Sequence, residues 1–305
     1  MIAPNKRVFQ LRPAANPKPV VVVIGGANLD ITGKAAGAFR AGISNPGTIT
    51  ARAGGVARNI AENLARLGCR ARLIAAIGAD PSGKRLLAET GAAGVDLTFC
   101  IRAGAASQYV AILDASGELV AGVSDMDAVD LITPEVLRAA SAAFGGADAI
   151  AADCNLDLGT LKAAADIARA NNIPFAIEPV SAAKAGKIQS LLEAGFAIDF
   201  ATPNEAEAAC FYTACIPRVI VGLGARGARA IENGVAHHVP PFAAKLVSAT
   251  GAGDAAFAAA LCALLRGKPL RNAAILGQAA AALTISSERA VSKDVDWERL
   301  EGMAR

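Results

Sequence analysis

The sequence predicts an α/β fold, a doubly wound, mostly parallel sheet flanked by helices, with a small β-sheet lid set apart from it. Three observations predict it. Short apolar, often β-branched runs recur along the chain, helix-length segments stand between most of them, and two stretches rich in turn residues interrupt the alternation.

The first run, Val20 to Ile24, is continuously apolar, as a strand buried on both faces is, and Gly25-Gly26 closes it with a tight turn. Arg72 to Ile77, Ala149 to Ala152, Pro174 to Ile177, Phe196 to Ala201 and Arg218 to Val221 repeat the pattern. The helices expected between them are Val56 to Leu67, Lys84 to Thr90, Thr133 to Ala143, Leu158 to Asn171, Ala183 to Glu193 and Glu205 to Ala214. Strands joined through helices make right-handed crossovers. Thr32 to Arg52 and Cys100 to Val123 break the rhythm with Ser44-Asn45-Pro46-Gly47 and Asp114-Ala115-Ser116-Gly117. Gln108 to Leu113 and Glu118 to Val123 flank the second turn as a hairpin. Neither stretch fits a βαβ layer, so the segments at about 32–52 and 100–123 are expected to form the lid over the strand ends.

With 305 residues, 53% of them apolar and 19% charged, the chain is too hydrophobic for a disordered one. Its mean hydropathy is +0.40. The longest apolar run, Ala255 to Leu265, falls short of the roughly 18 to 20 residues that span a bilayer, so no membrane partner is expected. A net charge of +3 without a basic face argues against a nucleic-acid partner. Residues 1–19 carry no apolar signal segment and read as a flexible tail, leaving 20–305 as a single domain with the cytoplasm as its expected compartment. Six scattered cysteines without a C-x-x-C pair read as small buried hydrophobes. The only histidines, His237 and His238, sit in a loop-like stretch before Pro240-Pro241, which leaves almost no material for a Ser-His-Asp or histidine-metal mechanism.

Chemistry concentrates in five segments. Ser248-Ala249-Thr250-Gly251-Ala252-Gly253-Asp254 runs into a helix-forming stretch, Ala255 to Arg266. Gly251 and Gly253 let backbone N–H groups approach an anion at a helix N-terminus, with Asp254 in the first turn either as a reactive carboxylate or as an ordinary cap. Gly54-Gly55 opens a second helix whose apolar face is Val56, Ile60, Leu64 and Leu67. Asn59 in its first turn either meets a hydroxylated ligand or is merely solvated. After the first strand, Gly25-Gly26 leads to Asn28 and Asp30 without the G-x-G-x-x-G of a dinucleotide site. Two apart on extended chain, these side chains point the same way and suit vicinal hydroxyls. Asn204 and Glu207 share a helix face and suit either Mg²⁺ held largely through water or a capping box. Gly222-Leu223-Gly224-Ala225-Arg226-Gly227 supplies a glycine-rich turn.

In this order the segments resemble the phosphofructokinase B, or ribokinase-like, family of sugar and nucleoside kinases, from about Val20 to about Val291. Gly54 to Asn59 and Thr250 to Asp254 carry the resemblance most specifically. Gly25 to Asp30, Ser44 to Gly47, Ser124 to Met126, Asp153 to Leu156 and Leu283 to Glu288 extend it towards members that act on pseudouridine. The resemblance implies a ribokinase-like fold, ATP and Mg²⁺ as cofactors, and a small-molecule nucleoside or sugar acceptor with the 5′-hydroxyl of pseudouridine foremost. Asp254 would be the base, and the amides of Gly251, Ala252 and Gly253 would stabilise the transferring phosphoryl group. Asn28, Asp30, Gly54, Gly55 and Asn59 would hold the ribose. Asn204 and Glu207 would organise Mg²⁺, and Asn204, Gly222, Gly224, Gly227 and Thr250 would line the ATP site. The resemblance also offers a monovalent cation as an option, against which Ser248 counts, standing where relatives often carry Asp or Asn beside a cation-binding loop. Gly222 likewise stands where many members have a threonine or another side chain. Since phosphoryl transfer asks its base for a proton only late, a carboxylate of ordinary pKa is expected to suffice. Gln108 and Tyr109 are candidates for contact with a base, and the lid edges suggest a homodimer.

Overall fold

A computed structural model describes residues 13–102 and 104–305. Most of the expected tail, 1–19, lies outside the described residues; where they begin, Ala14 donates its N–H to the carbonyl of Leu265 (2.7 Å). In chain order the elements are β1 (Val20–Ile24), β2 (Asn28–Ala35), β3 (Gly47–Gly54), α1 (Val56–Arg66), β4 (Arg70–Ile74), α2 (Pro81–Ala92), β5 (Ser107–Leu113) and β6 (Leu119–Asp125). There follow α3 (Pro134–Ala139), β7 (Ala149–Asp153), α4 (Leu158–Ala170), β8 (Phe175–Glu178), α5 (Ala182–Glu193), β9 (Phe200–Ala201), α6 (Glu205–Ala208) and β10 (Arg218–Gly222). The last are β11 (Ala228–Glu232), β12 (Val235–Val239), α7 (Ala252–Leu265), α8 (Leu270–Ile285) and α9 (Trp297–Met303).

Eight strands form the main sheet in the order β12-β11-β10-β9-β8-β7-β1-β4. The strands from β4 to β10 pair in parallel, and the hairpin β11–β12 closes the far edge antiparallel. The fold is therefore the doubly wound, mostly parallel α/β arrangement expected. Along β1, Val21 and Val23 pack into the layer holding α1, α7 and α8, while Val22 and Ile24 pack into the layer holding α3, α4 and α5. That two-sided burial is why the run is continuously apolar. Chain order reverses between β4–β1 and β7, the switch point at which open α/β sheets bind ligands.

The second sheet has the order β3-β2-β5-β6. Its hairpin pairs as expected, Gln108 opposite Asp125 and Val110 opposite Val123, but the sheet begins at Asn28 rather than Thr32. The first acceptor candidates thus belong to the lid strand itself.

Several elements differ from the sequence-based expectation. Helix α6 spans only Glu205–Ala208, because Phe211 turns inward to be buried in the α4/α5 layer and a short 3-10 turn replaces the continuation. The run Phe196 to Ala201 pairs only at Phe200–Ala201. His237 and His238 lie in β12, not in a loop, with their backbone laddered to Ala230 and Arg229. Helix α8 was not expected. It packs along α7 on a seam of small residues, and a Cβ at Gly277 would press on the Ala256 carbonyl (3.0 Å), which accounts for the alanine richness of both helices. Cys69, Cys154 and Cys262 are buried as expected of small hydrophobes, with the Cys69 and Cys262 sulfurs 3.4 Å apart, whereas Cys100, Cys210 and Cys215 are only half-buried.

Candidate active site

A cavity of about 600 Å³ opens between the carboxyl ends of the central strands and the small sheet. Asn28 and Asp30 of β2 and Tyr109 of β5 line one end; Thr202, Asn204, Gly222 and Gln278 line the other. Asn59 and Asp254 stand between them. Gln108, also a candidate for contact, is not part of the wall, because alternate residues of a strand face opposite ways and Tyr109 takes the inward side.

Two helix N-termini meet at the centre. Gly251 caps α7 in the left-handed region (φ 81°), and any side chain there would run into the Ala290 carbonyl, so only glycine fits. No atom lies within reach of a Cβ at Gly253, which leaves that backbone open to the cavity. Helix α7 spans 14 residues, and the positive end of its dipole coincides with these exposed amides. Asp254, 8% exposed, accepts a hydrogen bond at Oδ2 from Asn59 Nδ2 (2.7 Å). Burial raises its pKa to about 7; Asn59 and the Arg58 guanidinium oppose the rise, while Asp153 and Asp30 add to it. The expectation of an ordinary carboxylate is corrected here. Asp254 is a carboxyl group whose charge changes near neutrality.

Asn59 is itself held. Arg58, 2% exposed, donates from Nε to the Gly54 carbonyl (2.9 Å), from Nη1 to Glu62 (2.5 Å) and from Nη2 to Asn59 Oδ1. Glu62 also accepts from Arg66 (2.8 Å), so Arg58, Glu62 and Arg66 form an i,i+4 ladder along α1. With its oxygen engaged by Arg58, the Asn59 amide presents its NH₂ to Asp254. Gly54 lies against the Asp30 carboxylate, which a Cβ would strike, and Gly55 turns the chain at φ 97° against Ala27. Gly55 reaches the cavity wall; Gly54 does not, and acts by giving Asp30 its place.

Asp153, at the end of β7, ties these parts together. Its Oδ2 accepts the N–H of Gly26 and of Ala57 (2.9 Å each), joining the turn after β1 to the first turn of α1. Asn28 Nδ2 donates to Asp30 Oδ1 (2.6 Å), so the two side chains do point the same way along β2. Desolvation raises the Asp30 pKa, against Asn28 and Arg58.

At the far end, Asn204 and Glu207 make a reciprocal capping box: Asn204 Oδ1 accepts from the Glu207 N–H (3.0 Å) and Glu207 Oε2 from the Asn204 N–H (2.8 Å). Both also line the cavity, so the cap does not withdraw them from its wall. Thr202 Oγ1 is buried there without a partner among the described residues, a hydroxyl available to a ligand. Glu178, fully buried at the end of β8, has its pKa pushed well up by desolvation and by the charges of Asp254 and Glu207. Thr250 and Gly222 line the cavity; Gly224 and Gly227 and the backbone position Ala252 do not. Gly227 instead allows β11 to start against the Val239 carbonyl, where a side chain would clash.

Arg58, Asp153, Glu178, Lys184 and Thr202 are the pocket or support residues that sequence reasoning did not find. Arg58 left a trace in the charge alternation Arg58, Glu62, Arg66, and Asp153 lay in a segment that carries the family resemblance, though neither was given a role there.

The sequence model described as "pfkB family carbohydrate kinase" matches residues 18–297. Pseudouridine kinase of Escherichia coli (strain K12) is 31% identical over 296 residues, covering 91% of this chain and 94% of that protein. A carbohydrate kinase from Agrobacterium tumefaciens superposes with a TM-score of 0.83 at 35% identity, over 94% of this chain and 97% of that one. Arabidopsis thaliana ribokinase complexed with ribose and ATP superposes with a TM-score of 0.76 at 19% identity, over 94% and 99%.

Proposed function

We propose, from the premise that this chain belongs to the pfkB family of carbohydrate kinases, that it transfers the γ-phosphoryl group of ATP to the 5′-hydroxyl of pseudouridine, giving pseudouridine 5′-phosphate and ADP. The observation that carries the transfer is the placing of Asp254 at the open N-terminus of α7 in the same cavity as Asn28 and Asp30. The similarity to pseudouridine kinase over nine-tenths of the chain supports the acceptor, and the ATP held by the Arabidopsis neighbour supports the donor.

In this reading Asn28 and Asp30 hold the vicinal hydroxyls of the ribose, which leaves its 5′-hydroxyl donating to Asp254. The transition state is loose, so alignment and charge stabilisation contribute most, and Asp254 accepts the proton as the new O–P bond forms. The amides of the first turn of α7, Gly253 foremost, face the charge on the transferring group. Settling of the small sheet over the strand ends excludes water and so suppresses wasteful hydrolysis.

Mg²⁺ fits the nucleotide end. Glu207 commits Oε2 to the capping box and leaves Oε1 over, Thr202 Oγ1 has no partner, and a phosphate-borne Mg²⁺ asks for few protein oxygens. Among the described residues no group of three or more His, Cys, Asp or Glu side chains could hold a metal ion by itself. Such an ion would neutralise phosphate charge. A second copy of the chain docked on the lid edges β3 and β6 completes the reading, since Ile49 and Val123 there are 80% and 68% exposed.

The test is ADP release with Mg-ATP and a panel of pseudouridine, uridine, adenosine, ribose and fructose 6-phosphate. Turnover with pseudouridine well above the others is expected; ADP release with ribose or adenosine but not with pseudouridine would overturn the acceptor assignment.

A further inference from the structure

We propose that Lys184 and Asn155 read the base of the acceptor, and that they select a ring presenting carbonyl oxygens, an oxo-nucleobase, over an amino-substituted base or a bare sugar. The inference rests on the nucleoside-kinase reading above and adds to it a specificity device.

Lys184 sits in the first turn of α5, the positive end of a helix dipole, where a cation is electrostatically disfavoured. It is half-buried and lines the cavity, and its one hydrogen bond among the described residues runs from Nζ to Asn155 Oδ1 (2.6 Å). A surface lysine on a solvated helix face would not be so placed. The turn that delivers it is also unusual: Val180, a β-branched residue on the cavity wall, is held at φ 71° with its N–H donated to Glu178 Oε2 (2.5 Å). Backbone kept in that region by its surroundings points to a positional demand at the pocket.

Asn155 sets which end of the cavity is served. Its N–H donates to Asp153 Oδ1 (2.9 Å), and its Nδ2 lies 3.1 Å from where a Cβ of Gly26 would be. It therefore adjoins the turn leading into Asn28 and Asp30. Across the cavity, the small sheet brings Ser107 into register with Asn28 and Ser124 into register with Tyr109, and Met126 and Val129 follow. A planar ring attached to a ribose held by Asn28 and Asp30 lies between that wall and the Lys184–Asn155 pair.

The hydrogen-bond inventory of the pair is one-sided. An ammonium has three donors and no acceptor, and one of those donors goes to Asn155. That bond occupies the amide oxygen and leaves the amide NH₂ as the free group. The end of the pocket thus offers donors, which suit carbonyl oxygens; an exocyclic amine would bring donor against donor. A bare ribose would leave the remaining ammonium donors unmet in a site that closes against water.

The experiment is steady-state kinetics with Mg-ATP on pseudouridine, inosine, adenosine and ribose, for the wild type, Lys184→Met and Lys184→Arg, with circular dichroism confirming that each folds. In the wild type, inosine is expected to exceed adenosine. In Lys184→Met, kcat/KM for pseudouridine relative to ribose should fall about 100-fold, mainly through KM, and Lys184→Arg should recover most of it. An unchanged pseudouridine-to-ribose ratio in Lys184→Met, or an equal loss on every acceptor, would overturn the inference, the latter by putting Lys184 on the phosphates. If pseudouridine is inert but inosine is phosphorylated, and the inosine-to-ribose ratio collapses in Lys184→Met, base reading stands and the pseudouridine assignment falls. If no nucleoside is phosphorylated, both fall.

Discussion

Asn59 joins the two helix N-termini at the heart of the cavity, its nitrogen on Asp254 and its oxygen on Arg58. A hydrogen bond donated to a carboxylate favours the charged form. Asn59→Ala therefore raises the Asp254 pKa above its value of about 7. The kcat/KM profile of the wild type should rise as pH climbs through about 7, and that of the variant should be displaced upward by about one unit. An undisplaced profile would remove Asn59 from the control of Asp254. Stability carries the same signature. Because the folded pKa of Asp254 is raised, the stability associated with its neutral form is present below its unfolded pKa and is lost as pH rises through about 7. Asp254→Asn, always neutral, should gain on the wild type in melting temperature between about pH 4 and pH 7 and hold that gain above, with a ceiling of about 4 kcal/mol. Parallel melting curves across that range would contradict it. Asp254 and Asn59 were legible because each follows glycines at a helix start. Asp153 and Glu178 were not, because a carboxylate at the end of a buried strand acquires its role only from the turns that tertiary structure brings to it.

At the scale of elements, the turn from β3 into α1 is the most constrained joint of the site. Gly54→Ala would drive a methyl group into the Asp30 carboxylate and displace it from Asn28. The acceptor KM should rise about tenfold or more while the KM for ATP stays within about twofold, since Thr202, Gly222 and Gln278 lie at the other end. Equal changes in both would place Gly54 outside acceptor binding. The strands β1, β7, β8 and β10 were readable from their apolar runs, and α1 from its 3.6-residue apolar face. Helix α8 escaped because its small residues give no periodic contrast, while β12 escaped because an exposed edge strand needs only backbone pairing. The shortness of α6 follows from the burial of Phe211, a tertiary demand that overrides local propensity.

For the molecule as a whole, the decisive feature is that Asn28 and Asp30 belong to β2 of the small sheet while Asp254 belongs to the main body. In the proposed reading acceptor binding and lid position are thereby coupled, and the reactive geometry exists only when the two parts meet. The sequence predicted that two turn-rich segments form a sheet of their own, but set its start at Thr32 and read Asn28 and Asp30 only as extended chain ahead of it, because they follow directly on the glycine turn that closes β1. If the lid edges join two copies, the double variant Ile49→Lys with Val123→Lys should convert a dimer to a monomer in light scattering; an unchanged mass would leave those edges to another role. The most direct test of the account compares ADP release from Mg-ATP and pseudouridine by the wild type and by Asp254→Asn, alongside calorimetric binding of pseudouridine to both. The account predicts a turnover lowered by about 10² to 10⁴ with binding retained. Turnover equal to that of the wild type would contradict it.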